Sequence, residues 1–131
     1  METIYKKQSM TEKTELMKKM KADTTLWICD VDYWNDEVDD CQLLLEKNLA
    51  QIDELEERKR LEQFQNQIIY YRDELLPELK HDLVQHQKVL ESNTPLEKLV
   101  KSNEELNMRQ MAIHEQMKER RRQLNLFINN I

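Results

Sequence analysis

The residues best equipped for chemistry are three histidines, two cysteines and an acidic run in the first third of the chain. In Asp30-Val31-Asp32-Tyr33-Trp34-Asn35-Asp36, carboxylates fall at the first, third and seventh places of a calcium loop, oxygens that a hard divalent cation would use. The other places do not fit. Trp34 occupies the fifth, Asn35 stands where the sharp turn needs Gly, and Cys41 replaces the bidentate Glu at the twelfth. The run therefore reads as the solvated acidic face of a helix.

Glu78-Leu79-Lys80-His81 has the Glu-x-x-His spacing that places a carboxylate and an imidazole on one helix face in di-iron bundles. A di-metal site needs a second such pair, and the residues three before His86 and His114 are Leu83 and Met111. The neighbouring Leu79 and Leu83 also turn His81 away from the core. His86 differs, because it sits between Leu83 and Leu90 on an apolar stripe, which predicts a buried histidine with a hydrogen-bonding partner. Cys29 and Cys41 lie twelve residues apart on one expected helix, roughly 18 Å by helical rise, and cannot bridge each other. No Cys-x-x-Cys pair and no Gly-flanked Ser is present, so neither a zinc or redox motif nor a nucleophile elbow can be named. No cofactor, metal or catalytic residue is assigned, and the chain is read as a non-enzyme.

Arg120-Arg121-Arg122, with Lys118 and Arg109, is the basic cluster of the folded part. Three consecutive residues point three ways around a helix, and no aromatic residues interleave them, so a nucleic-acid track is not expected. Charge is unevenly spread over a total of -6. Residues 1–22 hold six Lys against three Glu, and residues 23–57 hold twelve acids against Lys47. Residues 58–131 hold thirteen bases against eleven acids. The acidic first helix opposes phosphate binding. Its expected counterpart is internal, the Arg109 and Lys118 to Arg122 segment running antiparallel beside it.

The chain has 131 residues, no Gly, two Pro and 35% charged residues, with a mean hydropathy of -0.88. This composition excludes Gly-rich phosphate loops and hairpins and leaves helix. No apolar run approaches the roughly 20 residues a membrane helix needs. Met1 to Lys7 lacks the apolar stretch of a secretory signal, and two unpaired thiols suit a reducing compartment, so a cytoplasmic location is the expectation.

Residues 1–22 are Lys-, Thr- and Met-rich, with Leu16, Met17 and Met20 their short apolar face, and read as a basic mobile arm. From Asp23, Thr24 or Thr25 as N-cap, a first helix of about 24–57 carries Trp27, Val31, Trp34, Val38, Cys41, Leu45, Leu49, Ile52 and Leu55 at spacings of three and four that alternate up to Leu45. The stripe resumes at Leu61 after a six-residue step, which jumps it by about 120° and predicts a turn near 56–60. The alternative is one rod bent at Pro77. A second helix of about 61–92 carries Leu61, Phe64, Ile68, Tyr71, Leu75, Leu79, Leu83, His86 and Leu90, kinked near Asp73 by Pro77. Thr94-Pro95-Leu96-Glu97 reads as a capping box opening a third helix of about 95–131.

Three segments of matched length predict an all-α fold, an antiparallel three-helix bundle of long coiled-coil-like helices occupying 23–131 as one domain. In outline it resembles a spectrin-type three-helix repeat, a likeness of architecture that carries no functional residue. The function expected is a protein–protein interaction or structural module, contacting an unknown protein partner through Asp32, Asp36, Asp39 and Asp40 of the acidic first helix. Trp27 and Trp34, seven apart on one face, are expected in the core, with exposure as a binding hot spot the sharper alternative. Two further alternatives are self-assembly into a homodimer through a long first helix, and a metal or small ligand held by His86, His114 and Cys41.

Overall fold

A computed structural model of the chain describes residues 10–130, which form an all-α helical bundle. Its elements are α1 (Met10–Leu49), α2 (Leu55–Tyr70), a five-residue π-turn (Tyr71–Leu75), α3 (Leu76–Leu90) and α4 (Leu96–Asn129). Residues 1–9 of the expected arm, and the expected end of the third helix at Ile131, lie outside the described residues.

The remainder of the expected arm is helix. Residues 10–22 continue α1 without a break, because the stripe begins earlier than its large apolar members suggest: Met20 and Thr24 precede Trp27 at four- and three-residue steps and are both buried. Thr24 is not a cap. Its hydroxyl, wholly buried, donates to the carbonyl of Met20 at 2.7 Å, and Thr25 bonds back to Lys21 in the same way.

The chain reverses at 50–54, upstream of the expected 56–60, so it forms no continuous rod. The Glu and Arg pairs of 54–60 favour helix, and α2 runs through them. The break falls instead where the Asn48 amide donates to the Leu44 carbonyl and the amides of Gln51 and Ile52 reach Asn48 and Leu49 in tightened turns. Ile52 tucks under the bundle end, while Leu55, expected on the stripe, is 65% exposed.

Pro77 does disturb the helix, as a π-turn rather than a simple kink. The Leu76 amide bonds to the Tyr71 carbonyl five residues back, and the widened turn accommodates a ring that would crowd the Asp73 carbonyl. The extra residue resets the stripe. Tyr71 is followed in the core by Leu76, not Leu75, and then by Leu79, Leu83, His86 and Leu90. Nor does a capping box open α4. Pro95 is the N-cap, with no side-chain cap bond, and the Thr94 hydroxyl is 2.6 Å from that of Ser92 instead.

Residue numbers rise along α1 as they fall along the α2–α3 limb: Lys21 pairs with Glu91 at 3.4 Å, Asp32 with Lys80 at 2.6 Å, and Gln42 with Arg72. Along α4 they rise with α1, for Asp30 meets Gln110, Trp34 meets His114 and Glu37 meets Arg121. The last helix therefore runs parallel to the acidic one, contrary to the antiparallel placement expected, since two reversals restore the starting direction.

Candidate functional site

The three residues proposed for a ligand do not converge. His86 is buried between α3 and α4, its Nε2 3.1 Å from Oδ1 of Asn103, which supplies the partner that a buried imidazole requires. His114 is exposed and lies against Trp34, with ring centroids 5.8 Å apart. Cys41 lines a small cavity of about 40 Å³ with Phe64, Gln67, Ile68 and Tyr71, where burial pushes its thiol pKa above the ordinary range. Arg121 opposes that rise, and Glu37 and Asp40 add to it. His81 and Glu78 are both on the surface. Among the described residues no three His, Cys, Asp or Glu side chains gather as a metal would need, and no helix is long and apolar enough to cross a membrane.

The acidic residues of α1 divide by the direction in which helical geometry sends them. Asp32 faces α3 and is held by Lys80. Asp39 is exposed within the field of Arg72. Asp36 and Asp40 point outward and enter no ion pair among the described residues. The arginines at 120–122 point three ways, to Gln123, to Glu37 across the bundle and to Glu119, so one of the three reaches the acidic helix. Arg109 does not reach it. It pairs at 2.8 Å with Asp82 of α3, because the parallel run of α4 puts position 109 on the α3 side.

Trp27 and Trp34 are 7% and 4% exposed, so both belong to the core and neither is an exposed hot spot. Their edges nevertheless form the floor of a seam between α1 and α4. Three open cavities of about 440, 320 and 370 Å³ follow one another along it. The first reaches from Leu16 and Met20 to Asn107, the second holds Tyr33 and Met111, and the third holds His114, Lys118 and Arg122. A fourth cavity, of about 260 Å³ between α3 and α4, includes both members of the Arg109–Asp82 pair.

Sequence reasoning passed over Tyr33 and Met111 as apolar residues of the α1–α4 seam, where both line the middle cavity at 60% and 58% exposure, with Leu16 at 36% in the first. Their signal is that they are large apolar residues displaced from the core stripes. Compared with known proteins, the chain matches no family model, no curated protein and no solved structure.

Proposed function

We propose that the chain is a non-enzymatic interaction module that acts through its helical surface, with the α1–α4 face and its acidic border as the partner face. The observation that carries this reading is the open seam, in which the exposed apolar side chains of Leu16, Tyr33 and Met111 flank a floor containing both tryptophans. Isolated surface leucines need no explanation, but apolar groups aligned along one groove between polar borders are what a partner covers. Asp36 and Asp40, exposed on the outer side of α1 and in no ion pair among the described residues, supply an acidic field that steers a basic surface toward this helix.

The test is partner capture from a lysate with the wild-type chain, with Tyr33→Glu/Met111→Glu, and with His81→Glu on the outer face of α3. Proteins held by the wild type and by His81→Glu but lost from the groove variant support the reading. Identical sets for all three, with helicity unchanged by circular dichroism, refute it.

A further inference from the structure

We propose that the open cavity between α3 and α4 binds a small primary ammonium ion carried on a short alkyl chain. This site is separate from the α1–α4 face and does not depend on what covers that face.

The cavity is about 260 Å³, just under the ~300 Å³ at which pockets begin to take drug-sized molecules, so it suits a smaller one. On α4 its wall is Ser102, Glu105, Leu106 and Arg109, whose steps of three, one and three keep them on one helical face. The same steps on α3 present Asp82, Gln85, His86 and Val89. The full charge of this lining is two carboxylates and one guanidinium. Arg109 and Asp82 pair at 2.8 Å and cancel, which leaves Glu105 as the uncompensated charge. Glu105 is exposed and enters no ion pair among the described residues, and Lys101, one turn before it, neither pairs with it nor lines the cavity.

His86 decides what kind of group the cavity takes. It is 5% exposed, and its Nε2 is committed to Oδ1 of Asn103, an acceptor, so the proton sits on Nε2 and Nδ1 holds a lone pair. Nδ1 makes no hydrogen bond among the described residues, where the one wholly buried side-chain polar atom without a partner is Oε1 of Gln67. Nδ1 is therefore reached from outside, through the cavity that His86 lines. With the Glu105 carboxylate and the Ser102 hydroxyl it makes three unengaged acceptors, one of them charged. A primary ammonium carries three N–H donors and a single positive charge, the complement of that set. Val89 and Leu106 give the alkyl chain apolar surface to lie on. An anion would instead meet a guanidinium already held by Asp82, beside an unpaired carboxylate.

The test is a titration of the full, isotope-labelled chain with n-butylammonium chloride at fixed ionic strength, following Nδ1 of His86 by long-range proton–nitrogen NMR. The Nδ1 resonance and the Glu105 amide are expected to shift to saturation, with a midpoint on the order of 1–10 mM, as suits a few charge-assisted hydrogen bonds at a partly exposed site. Butyltrimethylammonium keeps the charge and the chain but has no N–H, and should bind at least about tenfold more weakly. Glu105→Gln should weaken butylammonium binding by about as much, and its exposed position keeps the core untouched. Asp36→Asn, which removes a carboxylate from a helix that does not line the cavity, should change nothing. Shifts that rise without saturating overturn the proposal. So does equal binding of the quaternary ion, or an equal loss in Asp36→Asn, since either reduces the effect to diffuse attraction by an acidic protein. Tighter binding of butyrate than of butylammonium overturns it as well, because recognition would then fall to Arg109.

Discussion

Nε2 of His86 on α3 lies 3.1 Å from Oδ1 of Asn103 on α4, and the pair bridges the two helices inside the bundle. An amide oxygen can only accept, so Nε2 carries the proton and donates. The register that aligns Lys21 with Glu91 brings the buried Thr24 of α1 to within a turn of this level, so all three limbs contribute a polar residue to one layer.

Breaking that bond from one side should cost more than removing it. Asn103→Leu leaves the imidazole N–H buried without a partner and is expected to destabilise by about 1–3 kcal/mol, whereas His86→Leu/Asn103→Leu should recover most of the loss. His86→Leu by itself should keep the fold and shift the melting temperature modestly. Urea unfolding of the four proteins measures the coupling, and strictly additive losses would mean that the bond contributes nothing.

The π-turn predicts an asymmetry between deletions. In a Pro77→Ala background, where no ring needs the widened turn, removing Glu74 returns the Tyr71-to-Leu76 step to four residues, keeps every later core residue in phase, and should cost no more than about 1–2 kcal/mol relative to that background. Removing Lys80 turns Leu83, His86 and Leu90 by about 100° out of the core and should cost more than ~3 kcal/mol. Thermal melts followed by circular dichroism compare the two, and equal losses would count against the phase argument.

The two thiols should react in order. Cys29 is exposed, whereas Cys41 is half-buried with its pKa raised by desolvation, so iodoacetamide at pH 8 should label Cys29 first and Cys41 slowly, as read by mass spectrometry. A folded-state pKa raised above the unfolded one gives a contribution to stability that is fully present below the ordinary thiol range. That contribution is lost as pH rises through the folded value, and Cys41→Ala should flatten the alkaline limb of the stability profile. Simultaneous labelling of both thiols would refute the burial account.

Gln67, which lines the cavity with Cys41, has a buried Oε1 with no hydrogen-bond partner among the described residues. Gln67→Leu removes that acceptor and fills space, and should raise stability by up to about 1 kcal/mol. A lower urea midpoint for this variant would show that the amide is satisfied in solution.

Much of this architecture was legible because large apolar residues mark it. Trp27, Val31, Trp34 and Val38 alternate at four- and three-residue steps, Leu45 follows a heptad later, and all are buried. What escaped notice was carried by ambiguous residues. Thr24 reads as a cap because its hydroxyl can serve either end of a helix or the interior, and the segment before it reads as an arm for want of large apolar groups. The reversal at 50–54 contains neither Gly nor Pro, only helix-compatible residues that yield because the bundle ends there. Pro77 marked a disturbance but not the inserted residue, since Leu75 and Leu76 are indistinguishable to a count of apolar positions. The α1–α4 face is not legible from the core pattern because Tyr33 and Met111 lie off the core stripe.

The polar layer of Thr24, His86 and Asn103 also partitions the folding free energy. On one side lies the large apolar interior from Trp27 to Leu124, and on the other the small cluster of Met20, Leu90 and Leu99. Opening the small end exposes three large side chains, at roughly 1.5–3 kcal/mol each, and leaves the long interior intact. The beginning of α1, the reversal between α3 and α4, and the first turn of α4 thus constitute one cooperative unit of low local stability. Its amides exchange with solvent through excursions that the rest of the molecule does not share.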